Sequence, residues 1–197
     1  MRRWLANQLR GPSGRSGRLV ARVLNRVNAD LNREAVAALE VTSGGHALDL
    51  GFGGGVGLRE LLAGPAARVT GVELSDAMLA AAGRRFAGDA RLELLKGSAD
   101  AIPLPDGSVD RLLSVHTLYF WPDPEAGMAE VRRVLADDGR ACIALQPREA
   151  MEDDPLHDHG FTLYAAADLE RLLKGAGFGN VDVRATGKRL LGVVSGQ

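Results

Sequence analysis

Four groups of residues in this chain are of types and spacings that do chemistry. The first is His46-Ala47-Leu48-Asp49-Leu50-Gly51-Phe52-Gly53-Gly54-Gly55-Val56-Gly57. It begins as a short apolar strand, turns into a glycine loop and continues as the helix Leu58-Arg59-Glu60-Leu61-Leu62. Glycines at such a turn permit positive φ angles and let a ligand touch bare backbone. The first N–H groups of the helix point at that ligand. The stretch therefore reads as a ligand site at the carboxyl end of a parallel strand. Gly51 and Gly53 would serve a dinucleotide fingerprint, but its third glycine position holds Val56. The pattern D-x-G-x-G-x-G fits better, through Asp49, Gly51, Gly53 and Gly55. An aspartate at the strand end suits a cationic ligand group more than a pyrophosphate.

The second group is Glu73, which closes a strand 22 residues after Gly51. A carboxylate there can take both ribose hydroxyls of a nucleoside, and the same geometry serves nicotinamide cofactors. The third is His116 with Tyr119, in Ser114-Val115-His116-Thr117-Leu118-Tyr119-Phe120-Trp121. The imidazole titrates near neutral pH and suits a general base; Tyr119 is an alternative base or an orienter. The fourth is His157-Asp158-His159. Lacking a third spaced ligand, it reads as a solvated loop, and no metal is expected. Cys142 lies in the apolar run Ala141 to Leu145 and reads as a core thiol.

The elements that must position these groups alternate. Strands are read at 46–50, 67–73, 92–96, 109–115 and 140–145, with helices at 58–62, 76–86 and 124–135 between them. That alternation argues a doubly wound, Rossmann-like parallel sheet. Residues 147–164 read as a loop and 168–176 as a helix. Residues 181–184 and 190–194 read as two strands joined by a short turn, a C-terminal antiparallel hairpin. The fold expected is α/β, a mostly parallel seven-stranded sheet with an antiparallel C-terminal hairpin strand and N-terminal helices. The chain of 197 residues is read as one domain. Residues 1–40 form a helical N-terminal cap, 41–146 a cofactor-binding core, and 147–197 a substrate-side loop, helix and hairpin.

Residues 1–40 hold eight arginines against three acids, a local charge of +5 in a chain whose net charge is −1. Trp4, Leu5 and Leu9 suggest a short amphipathic turn, and Leu19, Val20, Val23, Leu24 and Val27 recur at helical spacing. The arginines read first as a solvated face, and second as an anionic-substrate or membrane-surface contact. The glycine-rich loop at 11–17 could lie over the cofactor pocket. A near-neutral balance gives no global pull to nucleic acid or membrane. No apolar run is long enough for stable membrane insertion, and no signal peptide is visible, so a cytoplasmic protein is expected. Exposed apolar positions in the first helices would allow a homodimer.

The glycine loop with its aspartate resembles motif I of the class I S-adenosylmethionine-dependent methyltransferases. Two further segments are similar to that family. Glu73-Leu74-Ser75-Asp76-Ala77-Met78 matches an acid followed by x-S-x-x-M. Gly97-Ser98-Ala99-Asp100-Ala101-Ile102-Pro103-Leu104-Pro105-Asp106-Gly107-Ser108-Val109-Asp110 matches G-D-A-x-x-L-P-F-x-D-x-S-F-D, long and ungapped. The resemblance spans 46–146, and its flavour is the branch with quinone-biosynthesis and small-molecule enzymes.

It implies S-adenosylmethionine as cofactor and S-adenosylhomocysteine as product. It implies cofactor contacts from Asp49, Gly51, Phe52, Gly53, Gly55, Glu73, Leu74, Met78, Gly97, Ser98, Ala99 and His116. Met78 would lie against adenine, and the Ala99 N–H would donate to its ring. Ser98 stands where relatives often carry an aspartate for the adenine amino group; a hydroxyl can still accept that bond, and Asp100, two residues on, is the alternative acceptor. The strand end with His116 and Tyr119 would lie beside the sulfonium, which makes these two the catalytic candidates.

Methyl transfer is an in-line displacement, and it chiefly needs the acceptor held at ~3–3.5 Å on the axis opposite sulfur. The activity expected is transfer to a small-molecule acceptor. The alternative is a cofactor-binding protein of the same fold that does not methylate. Val56 and the 97–110 segment disfavour a nicotinamide oxidoreductase. The lack of an N-P-P-Y motif and of a recognition domain disfavours a nucleic-acid substrate.

Overall fold

A computed structural model of the protein describes residues 29–152 and 162–196. The turn at Trp4 to Leu9, the loop at 11–17, the helix through Leu19 to Val27 and the His157/His159 pair lie outside the described residues.

Seven strands form one sheet: β1 His46–Leu50, β2 Arg68–Glu73, β3 Leu92–Lys96, β4 Val109–Val115, β5 Leu135–Leu145, β6 Asn180–Thr186 and β7 Arg189–Ser195. Their order is β3-β2-β1-β4-β5-β7-β6. The first five in this row pair in parallel, while β7 runs antiparallel to both β5 and β6. The helices are α1 Ala29–Ala38, α2 Val56–Ala63, α3 Asp76–Arg85, α4 Pro124–Val134, the single turn α5 Arg148–Met151 and α6 Ala166–Gly175.

The central strands are buried on both faces, so they read as continuous apolar runs rather than alternating ones. Alternation still decides which layer each residue joins. Leu48, Leu112 and Ile143 pack with Met128 and Val131 of α4 and Leu169 and Leu173 of α6. Ala47, Leu113 and Cys142 pack with Leu31 and Ala35 of α1, Leu58 and Leu61 of α2, and Met78 of α3. Asp49 follows the parity of Ala47 and is thereby turned toward α2. The Cys142 thiol is buried, and burial pushes its pKa up to about 12, which fits a core thiol.

Most boundaries move by one or two residues from those read in the sequence, and the turn α5 falls in the stretch read as a loop; two differences have a clear physical reason. Strand β5 starts at Leu135, not Arg140: Val109 pairs with Leu135, and the ladder resumes at Arg111 with Arg140, so residues 136–139 form a bulge. Helix α6 starts at Ala166, two residues before the helix read from the sequence. Asp168 sits in the first turn and its carboxylate accepts the Ala165 N–H at 3.1 Å, which is half of a capping box. Among the described residues no helix is long and apolar enough to cross a membrane.

Candidate functional site

The strand order reverses between β1 and β4, and the crevice outside their carboxyl ends is where open α/β sheets bind ligands. The glycine loop fills one wall. Gly51, Gly53 and Gly55 all have positive φ, at 75°, 46° and 73°. Gly51 needs its missing side chain for a second reason: a Cβ there would lie 2.5 Å from Thr117 Cγ2, on the loop that leaves β4. The two strand ends therefore approach as bare backbone. No side chain caps α2 at Gly55, which leaves the positive end of the helix at the crevice.

Glu73 ties this loop to the next one. One carboxylate oxygen accepts the Gly53 N–H at 3.0 Å, and the other accepts the Ser75 N–H at 3.0 Å. Each oxygen keeps a lone pair for a further donor. Ser75 then caps α3, its hydroxyl accepting the Met78 N–H at 3.4 Å. Leu74 stands between them, 64 % exposed although apolar. Met78 is buried in the α1–α2–α3 layer. The Phe52 ring is turned into the same layer, against Gly71 of β2, and only its backbone faces the loop.

Asp49 is almost wholly buried beneath the first turn of α2. One carboxyl oxygen accepts the Leu58 N–H, while Oδ2 is buried without a hydrogen-bond partner. Burial first, and the negative charge of Glu73 second, push its pKa up to about 8. An unpartnered buried acceptor at the mouth of a helix N-terminus fits a cationic ligand group approaching the loop.

The third wall is the loop from Gly97 to Ser108. The Gly97 N–H donates to Glu73 O at 3.3 Å, and Ser98 bridges to Ala101, which leaves Ala99 at the turn between them. This loop is clasped from α4. Glu130 accepts the Ile102 N–H at 2.9 Å. The Arg133 guanidinium donates to Ile102 O, Leu104 O, Asp106 and Glu130 at 2.6–2.9 Å. Glu130 foremost, with Asp106, raises the Arg133 pKa, and Arg133 in turn holds Glu130 below the usual carboxylate range. Sequence reading did not find this hub. The only local sign is the i,i+3 pairing of Glu130 with Arg133, which says nothing of a loop some thirty residues earlier. Arg133→Ala is expected to cost about 2–3 kcal/mol, read by urea denaturation, because a charged donor to two loop carbonyls is lost. The same variant should weaken S-adenosylhomocysteine binding several-fold by calorimetry.

His116 and Tyr119 lie at the end of β4. His116 has φ 60°, a region non-glycine residues rarely adopt, and is held there by its N–H to Ala144 O at 2.8 Å. Its Nδ1 lies 3.3 Å from the Tyr119 hydroxyl. Burial pushes the imidazole pKa down to about 4, so the ring is neutral at physiological pH. Burial likewise raises the Tyr119 phenol above its ordinary value, which removes phenolate from the neutral range. Behind them, the Thr162 N–H donates to Tyr119 O at 3.1 Å, bringing the chain after 161 against the same corner.

Fold and site together define a nucleoside-cofactor protein of the doubly wound class. Comparison with known proteins narrows this. A family model described as a methyltransferase domain matches residues 48–143. The uncharacterized methyltransferase YdaC of Bacillus subtilis is 32% identical over 80% of this chain and 84% of its own length. The ubiquinone/menaquinone biosynthesis C-methyltransferase UbiE of Methylobacterium nodulans is 42% identical over 118 residues, 56% of this chain and 46% of that protein. The crystal structure of a SAM-dependent methyltransferase from Aquifex aeolicus superposes with a TM-score of 0.70 at 24% identity, over 83% of this chain and 88% of that one. The chain belongs to the class I S-adenosylmethionine-dependent methyltransferases. It is an S-adenosylmethionine-dependent methyltransferase, and the fold expected from the alternating elements is the one observed.

Proposed function

We propose that the protein methylates a small-molecule acceptor bearing an ionisable proton, such as a phenol or hydroquinone, in the crevice between β1 and β4. The observation that carries this reading is His116, neutral and held in a strained conformation at the corner where the glycine loop meets the end of β4. The quinone-biosynthesis name of one relative supports the acceptor class.

S-adenosylmethionine supplies the activated methyl group. Glu73 takes the two ribose hydroxyls with the lone pairs left after Gly53 and Ser75. Leu74 and Met78 flank the adenine, Leu74 from its exposed position and Met78 from the layer beneath. The Ala99 N–H and the Ser98 hydroxyl serve the adenine edge from the clasped loop. Gly51, Phe52, Gly53 and Gly55 offer backbone, with Gly97 closing the third wall. Asp49 lies beneath the loop with its carboxyl largely protonated at neutral pH, and the cationic end of the cofactor favours its ionised form. His116 accepts the acceptor's proton as the methyl moves and passes it to solvent, since burial disfavours a lasting imidazolium. Residues 41–146 form the cofactor half of one unit, and residues 162–196 complete the sheet on the substrate side.

The test is calorimetric titration with S-adenosylhomocysteine and, separately, NAD, followed by a mass-spectrometric screen of phenolic, hydroquinone and amine acceptors. Binding of the first alone is expected, with methyl transfer to an acidic hydroxyl or ring carbon. Glu73→Ala is expected to lose at least ~100-fold in S-adenosylhomocysteine affinity, two charge-assisted hydrogen bonds being removed. Parent-like binding by that variant would reject the assigned site.

A further inference from the structure

Among the described residues the Tyr119 hydroxyl meets three hydrogen-bonding groups with its one proton. The Gln146 N–H donates to it at 2.5 Å, Gln146 O lies at 3.1 Å, and His116 Nδ1 lies at 3.3 Å. Two arrangements are open. If the phenol proton goes to His116 Nδ1, the Gln146 carbonyl is left without this bond, and a partly buried acceptor deprived of its partner is destabilising. If the proton goes to Gln146 O, every group is satisfied, provided that Nδ1 carries hydrogen and donates to the phenol oxygen. The second arrangement therefore wins. A neutral imidazole with hydrogen on Nδ1 has its lone pair on Nε2, and Nε2 makes no hydrogen bond among the described residues.

We propose that Tyr119 is a positioning residue that fixes His116 as its Nδ1–H tautomer, leaving Nε2 as the nitrogen that receives the acceptor's proton. The inference rests on His116 serving as the base in the reading above. It adds which nitrogen does so and what sets it.

The strained backbone at His116 has a reason in this scheme. With φ at 60° and the N–H tied to Ala144 O, the imidazole lies nearly parallel to the Tyr119 ring, at 20° with centroids 6.0 Å apart, which aims Nδ1 at the hydroxyl. The network also survives the reaction. When Nε2 takes a proton, Nδ1 still donates to Tyr119, Tyr119 still donates to Gln146 O, and no hydroxyl need rotate. The opposite tautomer would offer the acceptor an N–H and would need a flip at Tyr119 before each turnover. Tyr119 thus acts in the manner of the orienting group behind a catalytic histidine.

The experiment is nitrogen NMR of the imidazoles in the full chain, free and with S-adenosylhomocysteine. The His116 signals among the four histidines are assigned by their loss in His116→Asn. The expected result is a pyrrole-type Nδ1 and a pyridine-type Nε2 at pH 7. Tyr119→Phe should move both nitrogens toward the opposite class while S-adenosylhomocysteine still binds. Should that variant not fold, 3-fluorotyrosine incorporated at the chain's two tyrosines is a milder probe, because the altered hydroxyl must shift Nδ1 if the bond exists. A pyridine-type Nδ1 in the parent overturns the proposal, as does a His116 spectrum indifferent to Tyr119→Phe or to the fluorinated ring. Failure of the parent to bind S-adenosylhomocysteine, with the tautomer as expected, would count against the assigned cofactor site and leave the tautomer assignment standing.

Discussion

Asp49→Asn is expected to raise the stability of the free protein at pH 8 by on the order of a few kcal/mol while weakening S-adenosylhomocysteine binding by about tenfold or less. The carboxyl at Asp49 is buried, one oxygen is without a partner, and its pKa rises from an ordinary 3.8 to about 8. A group whose folded pKa lies above its unfolded value contributes stability fully below the unfolded value, and that contribution decays as pH rises through the folded one. The parent should therefore lose stability steadily from about pH 4 to pH 8. Asparagine keeps the oxygen that accepts the Leu58 N–H and cannot ionise, so this loss should vanish from its profile. Thermal melts of both proteins at intervals across that range give the answer, with a gain of about 5 °C or more expected at pH 8 and little at pH 4. A variant less stable than the parent at every pH would mean that Asp49 is ionised and well paired in the free protein. The affinity loss is modest because the carboxyl must first ionise in a buried site, which offsets much of its attraction for a cationic group.

The opposite sign is expected one turn away. Gly57→Ala should cost about 2–4 kcal/mol, or roughly 5–15 °C in melting temperature, although alanine is the better helix former by ~1 kcal/mol. A Cβ at Gly57 would lie 2.4 Å from Asp49 Oδ2 and 2.7 Å from Leu113 Cδ2. Neither neighbour can yield easily, since Leu113 is in the core and Asp49 is held by Leu58. A double-mutant cycle identifies the cause. Asp49→Ala empties the space that the new methyl needs, so Gly57→Ala should cost much less in that background. Simple additivity would place the strain at Leu113 instead. S-adenosylhomocysteine binding in the single variant should fall with stability, because the displaced turn carries the N–H groups that face the ligand.

The two substitutions concern residues eight positions apart in sequence that share one small volume. The sequence pattern shows neither that Asp49 lies under α2 nor that Gly57 must lack a side chain; both follow from the parity of β1, which sends Asp49 beneath the helix where a Cβ on Gly57 would meet it.

What the sequence determined by itself was whatever repeats locally. Apolar runs bounded by glycine and acid marked the five parallel strands, the glycine loop marked the turn into α2, and Glu73 and Ser75 announced a strand end and a helix cap. These features rest on φ restriction, period and capping, which act within a few residues. The family resemblance was legible for the same reason, since its motifs are contiguous. What only the tertiary structure decided involves groups far apart in the chain: Arg133 clasping the loop from Ile102 to Asp106, Thr117 meeting Gly51, and Gln146 supplying both backbone groups that orient Tyr119. The same holds for the pKa values. His116 is an ordinary imidazole in the sequence and becomes a neutral base of pKa about 4 only because the folded chain takes water away from it, and desolvation is a property of neighbours that no local pattern records.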